Sequence, residues 1–470
     1  MKTLNARQLP QDRLSTTDEK GRRLYIHPAD VQGHFKKWRS IIHAFMILFF
    51  LALPWVRVGG NPAILLDISQ RRFTILGATF WAHDAPILLF IFVGAALALG
   101  FITAIWGRIW CGWACPQTVF IEGVFRRIER WVEGDSLARK KIDREKMNPD
   151  KLLKKIFKWA LFILVSLVIT HSFLAYFVGS EKLFHMIQAS PLENPSSFLL
   201  MAATTLAILF NFGWFREQFC TIACPYGRFQ SVLLDNHSLV ICYDASRGEP
   251  RGKQGEARGD CIDCFRCVDV CPTGIDIRRG LQMECIACTA CIDACDTVME
   301  KIERPKGLIR YDSLAGLQKR VSKKINVRTL TYLFLLSVVI VGFSLTLYFR
   351  KDLEISFVRS KEAPYQQMSG SSDKVLILNH YKVHLENKSF ENLNLNFSLE
   401  SAYENLGIEL VTALRPLPLA SGKNVQADLF VKFPKSLLKN GQTKIKINIT
   451  SSENKEINRK EELTLVGPYF

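Results

Sequence analysis

Eight of the thirteen cysteines fall in two runs of identical spacing, and this is where the sequence concentrates its chemistry. The first run is Cys261-x-x-Cys264-x-x-Cys267-x-x-x-Cys271, followed by Pro272; the second is Cys285-x-x-Cys288-x-x-Cys291-x-x-x-Cys295. A cubane iron–sulfur cluster needs four thiolates in tetrahedral disposition, and three at two-residue gaps can wrap one corner while the fourth arrives from elsewhere in the chain. Cys-x-x-Cys pairs also bind zinc. Two identical four-cysteine runs favour two [4Fe-4S] clusters instead, and with them one-electron transfer.

In two-cluster ferredoxins the fourth cysteine of each run ligates the other cluster. The expected sets are Cys261, Cys264, Cys267 and Cys295 for cluster 1, and Cys285, Cys288, Cys291 and Cys271 for cluster 2. Asp296 stands where the second run would usually have a proline, which weakens the local turn but leaves the ligand count intact.

Four further cysteines form a separate pattern. "RIWCGWACPQ" and "EQFCTIACPY" each hold a Cys-x-x-x-Cys-Pro element just past a long apolar run, giving the pairs Cys111/Cys115 and Cys220/Cys224. Residues four apart on a helix project from nearly one face, and soft thiolates suit Cu(I). Pro116 and Pro225 then either stop the apolar helix or open the next one at its first turn. A single pair would read as small, half-buried residues at a helix end; two copies at matched depth favour a four-thiol copper site. The remaining cysteine, Cys242 in "LVICYD", reads as a structural thiol on a short buried strand.

The elements that must position these thiols are legible from hydropathy. The chain has 470 residues, 48% of them hydrophobic. Segments near 39–58, 85–106, 158–179, 196–215 and 328–349 are each apolar over the roughly 20 residues that span a bilayer. A polar, basic lead over residues 1–38 is expected to be mostly extended. The first span continues into "LALPWVRVGGNPA" with no small-residue cleavage pattern, so it reads as an uncleaved anchor.

The formal net charge of +17 is concentrated where it sets topology. Residues 107–157 hold 12 Lys or Arg, whereas the loops 59–84 and 180–195 hold three, Arg71, Arg72 and Lys182. By the positive-inside rule the N-terminus is cytoplasmic and the C-terminus outside, which makes nucleic acid an unexpected partner for this basic chain. All thirteen cysteines then lie in two cytoplasmic stretches, 107–157 and 216–327, and the exported region has none. A reducing compartment keeps thiols free for metals.

Other segments are read from their periodicity. "AILLDISQRRFTILGATFW" is expected to be a hairpin at the membrane surface. In "QTVFIEGVFRRIERWVEG", Val124, Phe125, Ile128, Trp131 and Val132 oppose Arg126, Arg127, Glu129 and Arg130, a pattern for a helix lying in the interface. "DASRGEPRGKQGEARGD" reads as a loop entering the cluster module. Residues 350–470 alternate as "LNLNFSL", "VQADLFVKF" and "KIKINIT", separated by turns such as "KNGQ", which suggests an immunoglobulin-like β-sandwich. The second span with its thiol pair resembles the fourth with its own, an internal duplication that would bring the pairs together. His43 and His171 lie in spans at different depths, so they are expected to make helix-packing hydrogen bonds, not to ligate a haem. His380 and His384 share one face of a strand and are expected to be solvated.

"RIWCGWACPQTVFIEGVFRRIERWVEGD", "FCTIACPYGRFQSVLLDNHSLVICYD" and "GDCIDCFRCVDVCPTGIDIRRGLQMECIACTACIDACD" resemble the CcoG (FixG/RdxA) family of cytochrome c oxidase accessory proteins. The likeness continues through "NPAILLDISQRRFTILG" and "LNHYKVHLENKS", and so covers nearly the whole chain. It implies a polytopic α-helical protein of the bacterial inner membrane, with five spans, a cytoplasmic two-cluster ferredoxin-like domain and a periplasmic immunoglobulin-like domain. It further implies a cupric reductase that converts Cu(II) to Cu(I) for assembly of cbb-type oxidase, with Cys111, Cys115, Cys220 and Cys224 handling copper. The implied partners are oxidase subunits or copper-delivery proteins, and an electron donor of unassigned identity. Two other functions stay open at this point: a quinol-linked electron-transfer subunit and a non-catalytic assembly scaffold.

Overall fold

The computed structural model describes residues 16, 20, 23–70, 72–81, 84–252, 259–318, 326–360, 363–369, 375–389, 391–451 and 458–469. Most of the N-terminal lead, Arg71 and the middle of the Gly- and Arg-rich stretch therefore lie outside the described residues. The chain divides into two compact units. One comprises Met1–Leu53, Pro86–Ala175 and Ser180–Leu345; the other comprises Pro54–Ala85, Tyr176–Gly179 and Thr346–Phe470.

Five helices are long and apolar enough to cross a bilayer: His34–Trp55, Pro86–Trp106, Pro149–Val178, Pro195–Phe215 and Val327–Tyr348. The first and third begin earlier than the expected 39 and 158. Hydropathy marks the apolar length of a helix, whereas Lys36, Lys37 and Arg39, or Lys151, Lys154 and Lys155, are good helix formers that carry an extra turn or more outward. Proline opens the third and fourth at the first helical position, where its missing N–H costs nothing.

In the first unit the cluster-bearing segment folds around a two-stranded antiparallel sheet, Val240–Tyr243 with Ile309–Asp312, in the register Ile241↔Tyr311. Cys242 is buried on this strand, its Sγ 3.8 Å from the Asp312 carbonyl, in the structural position expected of it. Helix Arg266–Asp269 lies within the first cysteine run and carries Cys267, and helix Ala290–Lys301 carries Cys291 and Cys295 of the second. Val268, Ile277, Ile292, Met299 and Leu308 pack against Cys261, Cys267 and Cys295 to form the core.

The segment expected in the interface is helical over Pro116–Phe120, a π turn at Ile121–Phe125, and Arg126–Glu133. Gly134 ends it at φ 86°, a left-handed conformation that glycine adopts without strain. Trp131 is exposed and Arg126 and Glu129 are buried, whereas Arg127 and Arg130 remain exposed, so the polar stripe is split between protein and solvent.

In the second unit the loop after the first span packs with the domain after the fifth. The expected hairpin is a three-stranded sheet, Ile64–Asp67, Arg72–Ile75 and Ala78–Trp81. Lys388 Nζ reaches Asp84 at 2.9 Å, and Asn61 Nδ2 donates to Ser421 Oγ at 3.3 Å.

The C-terminal domain is the expected sandwich. One sheet orders Glu409–Thr412, Asn424–Pro434, Val375–Asn387 and Leu353–Arg359, with Gln366–Ser369 also on Val375–Asn387. The other orders Leu417–Leu419, Leu393–Leu399, Gln442–Ser451 and Asn458–Val466. Alternate residues Leu393, Leu395, Phe397, Ile445, Ile447 and Ile449 fill the space between the sheets. Asn440 and Gly441 both take positive φ in the "KNGQ" turn. His380 and His384 lie on the outward face; His380 Nε2 sits 2.7 Å from Asp428 Oδ1 and stacks on Phe430, a partner that sequence did not supply.

Candidate metal centre

Each cysteine run forces its backbone into the left-handed region twice. In the first, Asp263 and Phe265 have φ 55° and 58°; in the second, Ala287 and Thr289 have φ 51° and 63°. Such values are uncommon for residues other than glycine and persist only where the surroundings demand them. Placed on either side of Cys264 and of Cys288, they curl each run about its own thiols, which is what wrapping a cubane corner requires.

The fourth cysteines cross over. Cys295 lies within electrostatic range of Cys264 and Cys261, and Cys267 within range of Cys295 and Cys264. Cys291 sits near Cys288, Cys285 and Cys271. A cavity of about 20 Å³ is bounded by Cys271, Cys285, Cys288 and Cys291 together with Cys267. The two neighbourhoods meet at Cys267, which also lies near Cys291, and the cysteines present are numerous and close enough to fit two cubanes. Burial pushes the Cys285 and Cys295 thiols up to about 12 and raises Cys267, Cys271 and Cys291 as well. Ligation must therefore displace protons. Asp296 has its explanation here: helix Ala290–Lys301 runs straight through Cys295, a proline would break it, and the Asp296 carboxylate accepts from Gly307 N–H at 2.8 Å.

The other four thiols are also brought together, though not on one helical face. Cys111 lies in the helix Ile109–Trp113 and Cys220 in the π turn Phe219–Ala223, whereas Cys115 and Cys224 cap the helices that follow, with ψ 127° and 114°. The following proline is the reason, because its ring bars the preceding residue from the helical region. Each pair thus straddles a helix break. Cys220 feels Cys115, Cys111 and Cys224, and Cys111 feels Cys115 and Cys224. Burial raises Cys111 to about 12 and raises Cys220; it also raises Cys115, opposed by the N–H groups of Gln117 and Thr118. Among the described residues no three His, Cys, Asp or Glu side chains converge tightly enough to chelate one bare ion. The four are neighbours and not a closed chelate.

The thiol elements are wedged against the cluster 2 loop. Cys111 and Cys220 pack on the buried group of Val270, Ile286, Cys288, Ala290 and Ala294. A Cβ on Gly112 would fall 2.4 Å from the Ala287 carbonyl oxygen, so only glycine lets the first element lie backbone to backbone on the loop between Cys285 and Cys288. Arg108 ties three parts at once, donating to the Met283 carbonyl, to Cys285 O at 3.1 Å and to Gly227 O at 3.4 Å. Gln230 joins the two repeats, 3.6 Å from Cys111 Sγ and 3.2 Å from Gly107 O.

Sequence reading missed the buried charges that hold this arrangement. Glu129, 1% exposed, accepts from both Arg216 guanidinium nitrogens at 3.0 and 2.7 Å and from Arg139 at 3.2 Å. Glu122 is paired with Arg126, Arg39 and Lys36, and Arg126 also with Glu217. Burial works to raise both carboxyls, but Arg216 outweighs it at Glu129, and Arg126, Lys36 and Arg39 outweigh it at Glu122, holding both below the usual range. The local signal available was Glu122 and Arg126 four apart; the Glu129–Arg216 pair, 87 residues apart, leaves none. Arg39 also donates to the Cys288 carbonyl, fixing the first span to the cluster loop. His43 is buried beside Gly123 and its ring hydrogen-bonds the backbone of Gly112, the helix-packing role expected of it, while Nε2 has no partner; His171 Nδ1 bonds the Leu167 carbonyl at 2.7 Å within its own helix.

Comparison with known proteins agrees with this layout. The family described as "4Fe-4S dicluster domain" matches residues 215–314, and "IG-like fold at C-terminal of FixG" matches 343–468. RdxB of Cereibacter sphaeroides is 36% identical over 397 residues, covering 80% of this chain and 82% of RdxB. The chain belongs to the FixG/RdxA family. FixG of Rhizobium meliloti is 37% identical over 311 residues, 63% of this chain and 58% of its own length. A third family, "4Fe-4S binding domain", matches in two pieces, residues 85–144 and 193–236, and so takes in both thiol elements. The ferredoxin-type protein NapH of Haemophilus influenzae is 21% identical over 266 residues, 51% of this chain and 87% of NapH. This FixG/RdxA member is accordingly an iron–sulfur redox protein with ferredoxin domains, a C-terminal immunoglobulin-like domain and five apolar helices.

Proposed function

We propose that the chain reduces Cu(II) to Cu(I) at the four membrane-edge thiols, with electrons drawn from the ferredoxin clusters, on the cytoplasmic side of the inner membrane. The observation that carries this reading is the backbone contact of Gly112 with Ala287, which sets Cys111 directly on the loop of Cys285 and Cys288. Bound clusters supply one electron at a time. Each Cu(II) takes one electron and leaves as Cu(I), the ion that thiolates stabilise by softness.

In this reading Cys261, Cys264, Cys267 and Cys295 hold one cluster, and Cys285, Cys288, Cys291 and Cys271 the other. Cys111, Cys115, Cys220 and Cys224 hold copper, the N–H groups of Gln117 and Thr118 helping Cys115 to ionise. An open arrangement of neighbouring thiols suits a transient product better than a locked cage would. The Cu(I) would pass to copper-delivery proteins or to subunits of a cbb-type oxidase, with the C-terminal domain in the periplasm.

A second reading is favoured by a different observation. The 4Fe-4S family that covers both thiol elements, and the likeness to NapH, support an electron-transfer subunit in which Cys111, Cys115, Cys220 and Cys224 hold a further iron–sulfur centre and electrons come from quinol. The test is Cu(II) reduction by the full-length protein given a chemical reductant. The double variant Cys111→Ser/Cys115→Ser should lose copper reduction and keep its iron–sulfur absorbance; unchanged reduction would refute the copper reading.

A further inference from the structure

A cavity of about 230 Å³ opens beside cluster 2, bounded by the first two turns of the first span, the helix after Pro116 and the residues next to Cys288. Lys36, Arg39, Arg126, Arg127, Arg130 and Arg139 line it, against two carboxylates, Asp30 and Glu122. Counting also Glu129 and Glu217, which pair with Arg139 and Arg126 from behind, six cations meet four carboxylates. The wall therefore carries a positive excess even with its neighbours included.

Arg126 is committed to Glu122 and Glu217, and its Nε, without a partner, is closed to the cavity. One feature goes beyond excess charge. Arg127, one residue on, is exposed on the same rim and makes no ion pair among the described residues. Arg130 completes the rim and holds Asp30. The polar width of the cavity leaves room for a phosphate group and several waters at about 30 Å³ each.

We propose that this cavity binds a phosphate-bearing anion, with Arg127 and Arg130 on its rim as donors. Guanidinium groups match phosphate oxygens in pairs, which is why the two rim arginines are the expected tools. Two sources share this chemistry: a soluble phosphate, or the headgroup of an anionic lipid reaching in beside Lys36 and Arg39 at the start of the first span. Either would place a negative charge next to Arg39, the residue that donates to the Cys288 carbonyl.

The test uses the full-length protein. Its melting temperature is measured in detergent with inorganic phosphate against chloride at equal ionic strength, and in nanodiscs of phosphatidylcholine with and without phosphatidylglycerol. The same measurements are made on Arg127→Ala/Arg130→Ala, two rim positions outside the buried network. Stabilisation by phosphate identifies a soluble anion and stabilisation by phosphatidylglycerol a headgroup, and in either case the double variant should weaken binding roughly tenfold or more. No stabilisation by either probe overturns the proposal, as does an equal stabilisation of the double variant.

Discussion

Replacing Gly112 by alanine adds one methyl group at the seam between the thiol element and the cluster loop. Its Cβ would lie 2.4 Å from Ala287 O and 2.7 Å from both Ala287 C and Ile286 O, where ordinary contact begins at 3.4 Å. The shortfall, 3.4 minus 2.4, is 1.0 Å, and all three atoms are backbone. Ala287 cannot give way easily, because it already sits at φ 51° between two cluster cysteines. The helix Ile109–Trp113 must retreat instead, taking Cys111 with it. Overpacking of this kind costs roughly 1–3 kcal/mol, and a displacement of about 1 Å at reacting centres can slow a reaction by about 10²-fold. The assay is stopped-flow reoxidation of the chemically reduced protein by Cu(II), with iron content and melting temperature recorded for each sample. Gly100→Ala, whose Cβ meets nothing nearer than Tyr332 Cε1 at 3.7 Å, is the control and should behave as wild type. A Gly112→Ala protein with wild-type iron, stability and reoxidation rate would refute the close packing and the electron route drawn from it.

Further expectations come from the charges and the spare thiol. Glu129→Gln leaves Arg216 and Arg139 buried without their counter-ion, so thermal unfolding in detergent should show a loss of about 3–5 kcal/mol at neutral pH. Because the folded carboxyl is held below its ordinary 4.5, its contribution is fully present above that pH and is lost as pH falls toward the folded value. Melting temperature against pH should therefore drop below about pH 4.5 in wild type and less steeply in the variant. Cys242→Ala should retain full iron and wild-type copper reduction, since Cys242 only packs against the Asp312 strand; loss of iron would give it a ligand role.

What was legible in the sequence is what local spacing can encode. The cluster cysteines announce themselves because three ligands of each set lie within seven residues, and the sandwich strands because Leu393, Leu395 and Phe397 repeat with the period of the pleat. Three spans match their apolar stretches within a residue, whereas the first and third begin earlier, since hydropathy fades at their basic residues and the helix does not. The four-residue spacing of each thiol pair suggests one helical face, but Cys115 and Cys224 each precede a proline, whose ring keeps them extended. The buried stripe of Arg126 and Glu129 looked solvated because its partners, Glu217 and Arg216, arrive from a repeat about 90 residues away. Nothing periodic reports a pairing at that distance, and the same holds for the contact of Gly112 with Ala287.

The central claim is that the four membrane-edge thiols form a copper site fed by two ferredoxin clusters. Metal analysis with electron paramagnetic resonance on the reduced full-length protein tests it most directly. The account predicts iron for two four-iron clusters, with signals that interact, and Cu(I) that disappears in Cys111→Ser/Cys220→Ser while the iron stays. Iron for a third cluster, lost in that variant, and no bound copper would contradict it.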